Sequence, residues 1–201
     1  MRLRVVLALG FALLVSACAT TPPHNVSVQN IRALKLESVV VEGGANVRSW
    51  PAQEDAAINK QLLDAAGAER LKSESATAFP QLAPHFTAAL QAKFEPQIRN
   101  QLGFTLSGAR PVKVVVRVMQ FDVPSMARRI LVDSTSKLAA QIALVDAKTG
   151  EVIVAYPGPL HTQKVIGGLA APIFQSIAAV DDADVIVRSY VTRYHEWLVA
   201  N

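Results

Sequence analysis

Residues 111–119 read PVKVVVRVM and residues 134–145 read STSKLAAQIALV, and these two stretches decide the fold. Each alternates between apolar positions and mostly more polar ones. The apolar positions are Val112, Val114, Val116 and Val118 in the first stretch, and Leu138, Ala140, Ile142 and Leu144 in the second. Successive side chains of a strand point to opposite faces of its sheet. We therefore predict two strands, each with one buried face and one partly solvated face.

A hairpin is predicted to follow the second of these strands. Residues 146–150 read DAKTG, and residues 152–156 read VIVAY. Aspartate and glycine are typical of tight turns, because glycine adopts positive φ without steric cost. The apolar residues after the turn predict a third strand. The three strands together predict an antiparallel meander.

A long amphipathic helix is predicted before the meander. Within residues 84–102 an apolar side chain recurs every four positions, at Phe86, Leu90, Phe94, Ile98 and Leu102. This spacing gives a helix with one buried stripe. We expect Gly103 to end the helix in a left-handed conformation. Pro96 is expected to kink it, because an interior proline lacks the N–H that bonds to the preceding turn.

A second helix is predicted over residues 183–199, after the acidic residues Asp181, Asp182 and Asp184. Carboxylates at a helix N-terminus accept hydrogen bonds from its first amides and interact favourably with its dipole. A calcium loop instead requires regularly spaced oxygen donors around a glycine, and this segment runs directly into apolar residues. We therefore interpret the acidic cluster as helix capping.

The N-terminal half supplies the remaining elements. Residues 31–41 predict a strand followed by a turn at Gly43-Gly44, and residues 52–71 predict one or two short helices interrupted near Gly67. Helices gathered on one side of a sheet form a two-layer domain. The predicted fold class is therefore α+β: a small antiparallel sheet with helices packed on one face, in a single domain spanning residues 31–201.

Composition excludes several classes of function. The net charge of +4 falls to +2 without Arg2 and Arg4, which precede the cleavage site described below. So small an excess gives no footprint for nucleic acid. The single cysteine excludes internal disulfides, and the four histidines show no spacing suited to a metal. Because no nucleophile-elbow or phosphate-loop motif occurs, we expect a protein that is not an enzyme and has no metal or cofactor.

The N-terminal sequence is typical of a secretion signal. Arg2 and Arg4 precede a run of eleven uncharged, mostly apolar residues, too short to span a bilayer. The following Val15-Ser16-Ala17-Cys18 resembles the lipobox of bacterial lipoproteins. That resemblance implies removal of residues 1–17 and attachment of acyl chains, including palmitate, to Cys18. An ordinary signal peptide that leaves a free thiol at Cys18 is the alternative.

The resemblance also implies a location. Ala19 stands where lipoproteins retained in the inner membrane commonly carry aspartate, so we expect a lipid anchor in the outer membrane and a domain that faces the periplasm. Residues 18–30 are polar and include Pro22-Pro23. Such a composition is typical of a flexible tether.

Two segments are candidates for contact with a partner. Residues 165–179 carry no charge, and the side chains Ile166, Leu169, Ile173 and Phe174 form either part of the core or an apolar surface that docks a partner. Arg128 and Arg129 lie in the connection between the first two meander strands. They are either solvated or contact anionic headgroups or an acidic partner.

The lipobox, the helix-then-meander order and the Asp146-x-x-Thr149-Gly150 turn together resemble small proteobacterial lipoproteins with αβ-sandwich domains. Relatives in shape include auxiliary lipoproteins of ABC-type transport systems, the curli-secretion lipoprotein and the N-terminal domain of the Tol-system periplasmic protein. The resemblance implies a non-catalytic binding or assembly module with an envelope protein partner. The alternative is a transport accessory that binds a lipid or another hydrophobic ligand.

Overall fold

The computed structural model describes residues 21–48, 50–74, 78–125, 135–164 and 181–200. Its helices are α1 (Val28–Arg32), α2 (Pro51–Asn59), α3 (Ala65–Ser73), α4 (Ala83–Leu102, preceded by a 3-10 turn at Pro80–Leu82) and α5 (Asp182–Val199). Its strands are β1 (Leu34–Val47), β2 (Arg110–Asp122), β3 (Thr135–Asp146), β4 (Val152–Tyr156) and β5 (His161–Lys164). The predicted α+β class is confirmed.

The five strands form one mixed sheet in the order β1-β2-β3-β4, and β5 also pairs with β3. The predicted meander is confirmed, because β2–β3, β3–β4 and β3–β5 are all antiparallel. The expectation of an antiparallel sheet is wrong for β1, which pairs parallel with β2. Parallel neighbours require a long crossover connection. Helices α2 to α4 provide it, and they carry the chain back to the end of the sheet where β1 began.

The core lies between the sheet and helices α4 and α5. All four alternating valines of β2 are fully buried there, together with the predicted stripe of α4 from Leu90 to Leu102. On the opposite face Val40, Lys113 and Arg117 are exposed, so α4 and α5 cover one face, as predicted. A smaller cluster packs α2, α3 and the 3-10 turn against the start of α4 at Phe86.

Three glycines behave differently from the sequence-based expectation. Strand β1 continues through Gly43 to Val47, so the predicted turn at Gly43-Gly44 is wrong. Gly67 lies inside α3, and the break between the short helices falls at residues 60–64. Gly103 has a right-handed φ of −56°, not the left-handed value. Helix α4 also runs through Pro96 as one element.

A bulge interrupts the strand pairing on the outer side of β3. Tyr156 of β4 pairs with Ile142, and His161 of β5 pairs with Leu138. The four residues 157–160 therefore lie opposite only three residues of β3. An extra residue of this kind bends the edge away and leaves part of the neighbouring strand without a backbone partner.

A tyrosine of α5 satisfies the backbone that the bulge exposes. The Tyr190 hydroxyl accepts a hydrogen bond from the amide of Ala140 at 3.0 Å and donates one to the carbonyl of the same residue at 2.5 Å. Both groups are buried. One hydroxyl thus replaces a strand partner at the centre of β3 and ties α5 to the sheet.

We expect Tyr190→Phe to lower the free energy of unfolding by about 1–3 kcal/mol, because it leaves a buried N–H and a buried C=O without partners. Urea unfolding of the variant measures this cost. Tyr194→Phe is the matched control. The Tyr194 hydroxyl is buried and has no hydrogen-bond partner among the residues that the structure describes, so its removal is expected to be neutral or slightly stabilising. Equal losses in the two variants would contradict this role of Tyr190.

Candidate functional site

The predicted site residues fall outside the part of the chain that the structure describes. This applies to the lipidation site Cys18 and to the candidate partner residues Arg128, Arg129, Ile166, Leu169, Ile173 and Phe174. Their roles stay predictions. The described residues that flank them nevertheless define where the anchor and the two candidate partner segments join the domain.

The N-terminal segment packs against the last turn of α5. Trp197 Nε1 donates a hydrogen bond to the carbonyl of Pro22 at 2.8 Å, and His24 Nε2 lies 3.0 Å from the carbonyl oxygen of Leu198. The rings of His24 and Trp197 meet edge to face, with centroids 4.6 Å apart. Two residues of the predicted tether, Pro22 and His24, therefore contact the folded domain.

This docking sets an upper limit on the distance between Cys18 and the domain. Only residues 19–21 separate Cys18 from Pro22. Four residue steps span at most about 14 Å when fully extended. A lipid on Cys18 would therefore hold the end of α5 within that distance of the membrane surface.

Both candidate partner segments join the domain at the opposite end of α5. Residues 126–134 connect β2 to β3, and residues 165–180 connect β5 to α5. Strands β3 and β5 meet at the Thr135–Lys164 pair, next to both connections. Helix α5 has 18 residues, a length of about 27 Å. The two segments are therefore attached at the end of the domain away from the docked N-terminus.

A serine and a histidine meet on the surface of α5 in an arrangement that resembles a catalytic pair. His161 Nε2 lies 3.0 Å from Ser189 Oγ, and His161 Nδ1 lies 2.9 Å from Arg193 Nη1. A guanidinium only donates hydrogen bonds, so Nδ1 must accept and Nε2 must carry the proton. That tautomer donates to the serine, whereas a general base must accept the hydroxyl proton. Burial and the Arg193 charge both lower the pKa of His161, which keeps the ring neutral.

Asp181 caps α5, as predicted, and Asp182 and Asp184 lie in the first turn of the helix. Asp181 and Asp184 also bind a lysine of α4. Asp181 accepts a hydrogen bond from the amide of Ala183 at 3.0 Å. Lys93 Nζ lies 2.8 Å from a carboxylate oxygen of Asp181 and 2.8 Å from one of Asp184. Burial alone would lower the pKa of Lys93, but its hydrogen bonds to the two carboxylates raise it overall. The cluster therefore joins the two helices.

We expect Lys93→Met to lower the free energy of unfolding by about 1–2 kcal/mol, because it removes two charge-assisted hydrogen bonds from a partly buried site. Because the folded state raises the pKa of Lys93, the contribution is complete below the ordinary lysine pKa. It is lost as the pH rises through the raised value. Urea unfolding at neutral and alkaline pH measures both effects. Arg117→Met is the control, since its pair with Glu42 is exposed and is expected to contribute little. A loss in Lys93→Met no larger than in the control would contradict this account.

Two clefts of the described surface are open rather than enclosed. One has a volume of about 350 Å³ and lies between the N-terminal segment and β4, lined by Pro22, Pro23, His24, Asn25, Val26, Ile153, Val154, Ala155, Pro157 and Trp197. A second, of about 360 Å³, lies where the C-terminal end of α4 meets β1. The layer between sheet and helices is filled by buried side chains.

The described ranges contain neither a metal-binding cluster nor a membrane-spanning helix. No group of three or more His, Cys, Asp or Glu side chains in these ranges is arranged to hold a metal ion. In the same ranges no helix is both long enough and apolar enough to cross a bilayer.

No protein-family model matches the chain, and no curated protein matches it. Among solved structures it is similar to a Caulobacter crescentus protein assigned as a lipoprotein, at 15% identity and a TM-score of 0.34, over 54% of this chain and 80% of that one. It is similar to the PelC dodecamer of Paraburkholderia phytofirmans at 12% identity and a TM-score of 0.37, over 86% and 90%. It is also similar to lipoprotein GNA1162 of Neisseria meningitidis at 12% identity and a TM-score of 0.26, over 71% and 93%.

Proteins named as lipoproteins are thus among the structural neighbours of this chain. All three TM-scores lie below 0.5. None of these similarities assigns a function to this chain.

Proposed function

We propose that this protein is a lipoprotein of the bacterial envelope, anchored in the outer membrane through acyl chains on Cys18, whose periplasmic domain is a non-catalytic binding or assembly module. The observation that carries the proposal is the short distance between the lipobox cysteine and the docked Pro22. A tether of at most about 14 Å would keep the domain next to the membrane that holds Cys18, where proteins of the envelope are within its reach.

The packing of the domain supports a module that binds through its surface. The side chains between the sheet and helices α4 and α5 are almost completely buried. A carrier of lipid would instead need an apolar cavity or cleft that covers most of its ligand. The tautomer of His161 supports a non-catalytic role in the same way, because its Nε2 is already protonated towards Ser189.

The placement of the candidate partner segments supports an envelope protein as the partner. Residues 165–180 lead into the first turn of α5, about 27 Å along the helix from its docked end. Residues 126–134 end at Thr135, which pairs with Lys164 immediately before residues 165–180. With the N-terminus held at the membrane, this end of the domain points into the periplasm. Residues Arg128 and Arg129 and the apolar group Ile166, Leu169, Ile173 and Phe174 are thus our candidates for the partner surface.

Affinity capture of the intact protein from membranes, with mass spectrometry of proteins and lipids, tests this function. We expect one defined envelope protein to be recovered with the wild type and lost with Ile173→Asp, while the variant keeps its thermal unfolding transition. Val152→Asp is the matched control, because it places the same charge on an exposed apolar side chain at the other end of the sheet. Stoichiometric lipid without a protein partner would favour the transport accessory, and an unfolded Ile173→Asp protein would assign that residue to the core.

A further inference from the structure

The loop between α4 and β2 carries an exposed aromatic side chain. Phe104 is 96% exposed, and the next large apolar side chain in the described ranges, Val152, is 56% exposed. The backbone around Phe104 is well bonded: its carbonyl accepts a hydrogen bond from Ser107 Oγ at 3.0 Å, and the amide of Leu106 donates to Leu102 at 2.7 Å. A structured loop therefore presents a phenyl ring to the outside.

The loop that carries Phe104 lies close to the docked N-terminal segment, and this position indicates what the exposed ring can contact. On one side of the last turn of α5, His195 Nε2 lies 2.8 Å from Thr105 Oγ1, next to Phe104 in sequence. On another side of the same turn, Trp197 holds Pro22. A helix with its side chains is about 10–12 Å wide. Because Cys18 reaches at most about 14 Å from Pro22, a membrane that holds Cys18 can also contact Phe104.

We propose that this end of the domain, formed by residues 28–35, 103–110 and 195–200 and called the anchor end below, docks on the lipid surface that holds Cys18, with Phe104 inserted among the headgroups. This inference rests on the lipidation of Cys18 in the proposed function. A tethered domain meets the bilayer at a high effective concentration, so that a small apolar contact suffices. Aromatic side chains are favoured at membrane–water interfaces.

The charges of the anchor end are compatible with a lipid surface. Arg32, Lys35 and Arg110 are exposed there, against the single carboxylate of Glu196. Arg110 also forms a 2.8 Å ion pair with Asp146 of the neighbouring hairpin. The remaining basic excess is small but has the sign that anionic headgroups attract.

The single cysteine of the chain allows a direct test with the full lipidated protein. Ala109→Cys places a thiol at an exposed position of the anchor end, and Thr162→Cys places one on β5, close to the partner-segment end. Each is labelled with a nitroxide in vesicles of phosphatidylethanolamine and a minor fraction of phosphatidylglycerol. We expect a water-soluble paramagnetic reagent to reach the label at position 109 several-fold less than the label at 162.

A second substitution isolates the phenyl ring. Phe104→Asp in the Ala109→Cys protein is expected to raise the accessibility at position 109 to the level at 162. Leu160→Asp is the matched control, because it charges another exposed apolar side chain outside the anchor end and is expected to change nothing at 109.

The outcomes separate this inference from the proposed function. Equal accessibility at positions 109 and 162 in vesicle-bound, acylated protein would overturn the docking inference and leave the lipoprotein intact. Protection at 109 that survives Phe104→Asp would overturn the insertion of Phe104. Protein that fails to bind vesicles and carries an unmodified Cys18 would overturn the proposed function itself.

Discussion

Replacing Cys18 with serine is expected to move nearly all of the protein from the membrane fraction to the soluble fraction. Each buried lipid methylene contributes about 0.8 kcal/mol, so two or three acyl chains hold a protein firmly whereas a single chain binds reversibly. Serine has no thiol to accept the diacylglycerol. Among the described residues, no helix is long and apolar enough to cross a bilayer.

Fractionation of cells by ultracentrifugation, followed by immunoblotting, measures this release. Thr20→Ser is the matched control, because it changes a nearby residue equally conservatively and leaves the lipobox intact. The control protein is expected to stay with the outer membrane. Retention of the Cys18→Ser protein in the membrane fraction would show that another segment or a partner holds it there.

The substitution with the largest expected effect on stability is Gly158→Ala. Gly158 lies in the bulge between β4 and β5 with φ +76°, and an added Cβ would lie 2.4 Å from the carbonyl oxygen of Ala140. The variant combines left-handed strain with a clash against backbone that cannot rotate away. We expect a loss of about 2–5 kcal/mol in the free energy of unfolding.

Gly150→Ala separates the cost of the left-handed backbone from the cost of the clash. Gly150 has almost the same φ, +75°, but its added Cβ would meet no atom within 4 Å. Its expected loss is about 1–2 kcal/mol, from the backbone conformation alone. Urea unfolding of both variants in the soluble Cys18→Ser protein gives the comparison. Equal losses would contradict the close packing of the bulge against Ala140.

The elements of this fold that sequence predicts are those set by local patterns. The alternating valines of β2 and the fourfold spacing from Phe86 to Leu102 each specify a face on their own strand or helix. The hairpin at Asp146 is equally local: its carboxylate accepts hydrogen bonds from the amides of Lys148 and Thr149 at 2.8 and 2.9 Å. These bonds and the Arg110 ion pair hold the pKa of Asp146 well below its usual range.

The parts that sequence does not predict depend on contacts between distant residues. No pattern within β1 predicts its parallel pairing with β2. That pairing depends on the intervening helices, which carry the chain back to the end of the sheet where β1 begins. Similarly, the glycine at position 158 and the hydroxyl of Tyr190 acquire their roles only where both meet Ala140.

The candidate site also combines one feature that the sequence predicts with others that depend on contacts between distant residues. The lipobox at Cys18 is a short linear motif and is readable directly from the chain. The hydrogen bond between Trp197 and Pro22 joins residues that are 175 positions apart, and no local sequence pattern predicts it. Phe104 was not a candidate in the sequence, because one apolar residue after a helix is ordinary until its exposure and its distance from the N-terminus are known.

The measurement that tests the account most directly is the intact mass of the protein purified from membranes, combined with fragmentation of its N-terminal peptide. We predict a chain that begins at residue 18, with diacylglycerol on the sulfur of Cys18 and a third acyl group on its α-amine. A chain that begins at Met1 and carries a free thiol at position 18 would contradict the anchor, the docking of the domain at the membrane and the proposed function together.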